Sequence, residues 1–241
     1  MKKIIISIGR EFGSGGRRIG ELLAKELEVP CYDRHLIEEA ACCSGFETKE
    51  LEEADEMKAN RFLFKVPAKS NQYTGYGKPM NDTLFAIQSE LIRKYADAGS
   101  CVIVGRCADK VLEKQEGLIS VFIYAPLEAR VEEIRRRYET DGEEALYLVR
   151  QADKIRRNYY NYYAKKKWGD RSSYDLMIDS SHFTDREVAA MIRAVSEERK
   201  AEWEENKFSH HRADGLQIRL GRGYYSRPCP ILMKKEWKPD E

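Results

Sequence analysis

The chain has 241 residues, of which 42% are hydrophobic and 34% charged. That is enough for one α/β domain with a lid or tail and a sizeable core. The formal net charge of +1 gives no global reason to expect nucleic acid or a membrane surface as partner, and no apolar run approaches the ~20 residues of a membrane span.

The N-terminus enters a strand pattern directly, with no secretory pattern. The six cysteines, Cys31, Cys42, Cys43, Cys101, Cys107 and Cys229, show no Cys-x-x-Cys spacing. Buried thiols in a cytoplasmic protein are therefore expected, and a zinc site is not.

In chain order, "KIIISIG" (3–9) reads as a strand covered on both faces. Ile19, Leu22, Leu23 and Leu27 recur at helical spacing behind a run of glycines. "VPCYD" (29–33) reads as a second strand and residues 35–43 as a helix; residues 47–60 are charged and helix-prone. Residues 60–81, rich in proline, glycine and polar side chains over "KVPAKSNQYTGYGKPMN", are expected to be a mobile insertion. Asp82 is expected to cap a helix carrying Leu84, Phe85, Ile87, Leu91 and Ile92. "CVIVG" (101–105), "ISVFIYA" (119–125) and "YDLMID" (174–179) complete five strands. Helices over 127–138, 143–167 and 184–206 separate and follow them. Strands alternating with helices predict a parallel, doubly wound α/β sheet. A domain over 1–206, with a helical lid near 139–171, precedes an appendage over 207–241 that has no clear period.

The segment "IIISIGREFGSGGRRIG" joins a buried strand to a helix through Gly13, Gly15 and Gly16. Glycines let backbone N–H groups converge, and the helix N-terminus adds partial positive charge, so the turn predicts an anion cradle. The usual phosphate loop reads G-x-x-x-x-G-K-S/T. Here five residues separate Gly9 from Gly15, one too many, and Gly16 stands in the lysine slot. Arg10, Arg17 and Arg18 can supply the missing charge, since arginine binds phosphate bidentately. A tight strand-to-helix turn with solvated arginines at its rim is the alternative. Ser14, Asp33 and Asp109 are the nearby candidates for indirect metal contact; no direct metal ligand is read from the sequence.

Two further segments fall at strand ends, the edge that faces the ligand crevice in such sheets. Asp33 and Arg34 follow the second strand and suit an acceptor hydroxyl or phosphate; helix capping by Asp33 is the alternative. Arg106 follows the third. An arginine so placed needs an anionic partner, which a substrate phosphate or a structural carboxylate would supply. Residues 148–171 carry eight Lys or Arg against Asp153 and Asp170. Arg150, Asp153 and Arg157 share a helical face with Arg156 adjacent, a set that could close over phosphates or form a solvated basic face. Tyr159, Tyr160, Tyr162, Tyr163 and Trp168 interleave with them. They suit either lid packing or single-stranded nucleic acid.

Taken in order, "GREFGSGGRRIG", "VPCYDRHLI", "VIVGRCAD", "VFIYAPLEAR", "DKIRRNYYNYYAKKKWGD" and "YDLMIDSS" resemble the cytidylate kinase-like family of P-loop nucleoside monophosphate kinases over roughly residues 1–200. The resemblance implies a P-loop NTPase fold: three α/β/α layers, a five-stranded parallel sheet and an arginine-bearing lid. It implies transfer of the γ-phosphoryl group of ATP to a nucleoside monophosphate, usually CMP or dCMP, with Mg2+. Gly13, Ser14, Gly15, Gly16, Arg17 and Arg18 then correspond to the donor loop. Asp33, Arg34, Gln88, Arg106, Arg150 and Arg157 correspond to the acceptor side. Arg17, Asp33, Arg106, Asp153 and Arg156 correspond to catalytic positions. The sequence departs from true cytidylate kinases in lacking the loop lysine and an acidic residue before Gly105-Arg106. The expected partners are nucleotides, with neither membrane nor nucleic acid. A binding module that keeps nucleotide affinity without catalysis is the competing expectation.

Overall fold

The computed structural model describes residues 3–33 and 80–201. The chain divides into two units at Lys200 and Ala201, and the architecture is that of the first. Five strands, β1 (Ile5–Arg10), β2 (Cys31–Tyr32), β3 (Cys101–Val104), β4 (Leu118–Tyr124) and β5 (Leu176–Asp179), form one sheet in the order β2-β3-β1-β4-β5. Every pairing is parallel, as the unbroken apolar runs predict for strands buried on both faces. The helices are α1 (Gly16–Glu26), α2 (Met80–Ala98), α3 (Ala108–Val111), α4 (Leu127–Tyr138), α5 (Gly142–Ala164) and α6 (residues 185–201).

Strand side chains alternate between faces, and two cores follow. On one face Ile5, Cys101 and Ile103 pack with Leu91, Ile92 and Ala96 of α2. On the other, Ile6, Ile8, Val102, Val104, Val121 and Ile123 pack with Ile19 and Leu23 of α1 and Val188 and Ile192 of α6. The result is the expected three-layer α/β/α arrangement, with each buried Ile or Leu contributing about 1.5–3 kcal/mol. None of the described helices is long and apolar enough to cross a membrane.

Three local expectations shift. Asp82 does not cap α2: the helix already includes Met80, and the Asp82 carboxylate instead accepts from the Tyr163 hydroxyl at 3.0 Å. The helix expected over 143–167 stops at Ala164, because Lys165 turns left-handed at φ 55°. It starts one residue earlier than expected, where Asp141 caps it by accepting from the Glu144 N–H at 2.8 Å. The helices expected over 35–43 and 47–60, the insertion up to residue 79 and the appendage over 207–241 lie outside the described residues.

α4 and α5 pack together as a helical pair, α5 lying within the segment 139–171 read as a lid. The pair's apolar seam is Ile134, Ala145, Leu148, Val149 and Ala152, and Phe12 from the glycine loop inserts into it.

Candidate active site

β1 ends at Arg10, beside Ile123 of β4, and β3 ends one residue before Gly105. Between these strand ends and α1 lies a cavity of about 400 Å³, within the range of small-molecule sites. Gly13, Gly15, Gly16, Arg10, Arg17 and Arg156 line it, with Asp33 at the β2 side and Arg137 and Tyr138 at the lid side. The loop turns at Gly13 (φ 86°) and Gly15 (φ 76°), a region L side chains enter at a cost of about 1–2 kcal/mol. A Cβ on Gly13 would also lie 2.8 Å from the Arg130 carbonyl oxygen. No side chain caps α1 and its first turn holds no acid. Its leading N–H groups, which have no acceptor inside the helix, are set toward the cavity with the positive end of the helix dipole. This is a cradle for an anion of phosphate size.

The arginines around the cavity differ in availability. Arg17 is about two-fifths exposed; its Nε lies 3.0 Å from Glu21 and 3.2 Å from Asp33. Burial pulls its pKa down, but Asp33 and Glu21 more than offset this and the net shift is upward. Arg18 is clamped between Asp185, at 2.8 Å from its Nε, and Glu133, so it ties α1 to α6 and α4 while lining the cavity rim. Arg10 is buried, and its guanidinium lies 3.9 Å from Asp33. Asp33, itself buried, makes no hydrogen bond to the described residues through either carboxylate oxygen. The two guanidiniums balance its charge.

Behind Arg10 is a second cleft of only about 20 Å³, room for about one water molecule. Arg106, Asp109, Tyr159, Tyr160, Trp168 and Tyr174 line it. Gly105, Arg106 and Cys107 are all left-handed, with φ of 82°, 56° and 54°, and this turn buries Arg106. Two successive non-glycine residues so placed are strained, and such strain concentrates at functional sites. The Tyr160 hydroxyl donates to Asp109 at 2.6 Å. Burial pushes the Asp109 pKa up, opposed by that hydrogen bond. Gln88 is buried on α2; its Oε1 accepts from the Tyr159 hydroxyl at 3.4 Å while its Nε2 makes no hydrogen bond among the described residues.

Of the residues singled out in the sequence, Gly13, Gly15, Gly16, Arg17, Arg18, Asp33 and Arg156 line the larger cavity, and Arg106 and Arg156 line the smaller. Ser14 does not face the cavity as a ligand: its hydroxyl donates to the carbonyls of Glu11 (2.9 Å) and Ile123 (3.1 Å). Asp153 is buried beneath the loop, accepting from the Phe12 N–H at 2.8 Å and from Arg130 at 2.5 Å. Arg150 and Arg157 are exposed and line neither cavity; Arg157 lies 5.8 Å from the Trp168 ring centre. Arg34 lies outside the described residues. Of the four interleaved tyrosines, Tyr160 is buried, Tyr159 and Tyr163 pack against Phe85, and Tyr162 is largely exposed.

Sequence reasoning missed Glu11, Phe12, Arg130, Arg137 and Tyr138. Arg130 donates to the carbonyls of Ala125 and Phe12 and pairs with Asp153, and its Nε lies 3.2 Å from Glu11. The signal was Phe12 itself: an aromatic residue in a loop of glycines and charges requires an apolar partner. No group of three or more metal-ligating side chains occurs among the described residues. With Ser14 turned inward and Asp33 flanked by two guanidiniums, these residues do not build a protein-held magnesium site. The glycine cradle and arginine walls do fit a nucleotide's phosphates.

Comparison with known proteins agrees with the architecture. The chain is 26% identical over 196 residues to a cytidylate kinase of Methanocaldococcus jannaschii, covering 80% of this chain and 96% of that protein. It is 27% identical over 111 residues to a cytidylate kinase of Methanopyrus kandleri, covering 43% of this chain and 58% of that one. The crystal structure of an uncharacterized protein from Eubacterium ventriosum superposes with a TM-score of 0.62 at 28% identity, over 81% of this chain and 99% of that one. The family model for the cytidylate kinase-like family matches residues 5–182, and the chain belongs to that family.

Proposed function

We propose that this protein is a phosphotransferase that moves the γ-phosphoryl group of ATP to a nucleoside monophosphate, CMP or dCMP in the first instance, or to a related small phosphorylated acceptor. The observation that carries this reading is the meeting of an uncapped helix N-terminus, a left-handed glycine turn and five cavity-lining arginines at one strand edge. Phosphoryl transfer needs little covalent chemistry from the protein; positioning and charge neutralisation carry the rate. The amides of Gly13, Gly15, Gly16 and Arg17 hold donor phosphates, the Ser14 amide being turned to the Glu11 carbonyl. Arg106 fixes the acceptor's phosphate, and Arg156, held 5.3 Å from the Phe12 ring centre, reaches over from the lid. Asp33 sits at the same edge, where an acceptor hydroxyl would be oriented. The small cleft beside Arg106 must widen to admit an acceptor, so transfer waits on acceptor entry. Magnesium belongs to the family's chemistry and would travel with the nucleotide.

A second reading, a nucleotide-binding module with weak or no catalysis, is favoured by Gly16 in the lysine slot and by Val104 where an acid would precede Gly105. ADP release from ATP against a panel of nucleoside monophosphates separates the two. Acceptor-dependent release supports the phosphotransferase. Saturable ATP binding without release at near-stoichiometric enzyme supports the module, and no interaction removes both.

A further inference from the structure

We propose that Arg10 takes the place of the missing loop lysine, so that it is a catalytic residue contacting the β- and γ-phosphates of the donor. The inference rests on the phosphotransferase reading and assigns a role to a side chain that reading leaves out. Three arginines lie close enough to substitute for a lysine at position 16, and their surroundings distinguish them. Arg17 points to Glu21 and Asp33 from the exposed face of α1. Arg18 is fastened to Asp185 and Glu133. Arg10 alone of the three is buried, at 8% exposure.

The space Arg10 fills is the space a lysine would need. A Cβ built on Gly16 would lie 2.6 Å from the Arg10 Cβ and 3.1 Å from its Cγ. A Cβ on Gly105 would collide with the Arg10 guanidinium. Two glycines, one on α1 and one after β3, thus frame the arginine from either side. A side chain at position 16 would force the Arg10 stem to move, so glycine at 16 and the present placement of Arg10 go together.

Position supports the same role. Among the described residues, Arg10 and Arg156 are the only charged ones that line both cavities. These two side chains thus border both the proposed donor space and the proposed acceptor space. The Asp33 carboxylate on one side of Arg10 and the Arg156 guanidinium, which donates to the Arg10 carbonyl at 3.4 Å, hold this wall in place. Guanidinium charge at that point stabilises the charge that develops in transfer.

The test is equilibrium binding of AMP-PNP and of AMP, by calorimetry, to the full chain and to two variants. Arg10→Met keeps the buried stem but removes the charge. It is expected to weaken AMP-PNP by roughly ten- to a hundredfold, the scale of charge-assisted hydrogen bonds, and to leave AMP unchanged because AMP lacks the β- and γ-phosphates. The swap variant Arg10→Gly/Gly16→Lys moves the charge back to the usual slot with its space cleared. It is expected to bind AMP-PNP more tightly than Arg10→Met, and, should Arg10→Met fail to fold, to bind it within tenfold of the wild type. Wild-type AMP-PNP affinity retained in a folded Arg10→Met overturns the proposal, as does an equal loss of AMP or a swap variant that folds and does not bind. No AMP-PNP binding by the wild type instead defeats the underlying phosphotransferase reading.

Discussion

The ends of β1 and β3 and the first turn of α1 both carry arginines beside the same cavity, yet they treat them oppositely. At the strand ends Arg10 and Arg106 are 8% and 2% exposed, one framed by glycines and the other set by a left-handed turn. On the helix Arg17 and Arg18 are more than 40% exposed at their side chains and each is paired with two carboxylates. Burying a guanidinium is costly and is sustained only by an anion or a dense set of acceptors. The strand-end guanidiniums are held within the fold, Arg10 beside Asp33, while the helix guanidiniums are paired nearer to solvent. Proximity to the glycine loop in sequence does not by itself make an arginine available to phosphate.

The largest effect expected from disturbing this contrast is at the support beneath it. Asp153→Ala leaves the Phe12 N–H without its acceptor and takes one carboxylate from the Arg130 guanidinium, which keeps Glu11 and two carbonyls. It should cost about 2–4 kcal/mol, lowering the melting temperature by roughly 4–16 °C for a domain of this size; calorimetric melting checks it. Arg106→Gln should raise the acceptor KM by roughly ten- to a hundredfold with AMP-PNP affinity little changed, a split visible in steady-state kinetics. Gly13→Ala places a side chain at φ 86° against the Arg130 carbonyl and should cost about 1–2 kcal/mol or more, while weakening nucleotide binding. Arg18→Met removes half-exposed ion pairs and should cost no more than about 1 kcal/mol; a loss as large as that of Asp153→Ala would erase the contrast between the two regions.

The smallest expected effect concerns pH. Burial raises the pKa of Asp109, so the folded state holds that proton more tightly than the unfolded chain does. Stability from this group is present below the unfolded carboxylate range and is lost as pH rises through the folded value. Asp109→Asn removes the loss, and Tyr160 can still donate to the amide oxygen. The difference in melting temperature between variant and wild type should therefore grow in the variant's favour from pH 4 to pH 7. A constant difference contradicts this.

Much of the fold was legible because its signals are local. Apolar strand runs, the helical spacing of Ile19, Leu22 and Leu23 and the glycines before α1 reported the layers, the parallel sheet and the glycine turn ahead of α1. What was not legible depends on residues far apart in the chain. Nothing near Asp153 announces that it binds Phe12, 141 positions away, and nothing near Ser14 shows that its hydroxyl turns inward to Ile123. Asp82 looked like a cap because no sequence rule predicts that Tyr163 claims it. The charge of Arg10 was visible, but its distinction from Arg17 and Arg18 required the space left by Gly16 and Gly105.

The central claim is that the strand-edge cavity recognises the terminal phosphates of a nucleoside triphosphate. Side-by-side calorimetric titration of the wild-type protein with AMP-PNP and AMP tests it most directly. The account predicts saturable AMP-PNP binding at least about tenfold tighter than AMP, the scale of one or more charge-assisted contacts. Equal affinity for the two, or no heat with either, would contradict it.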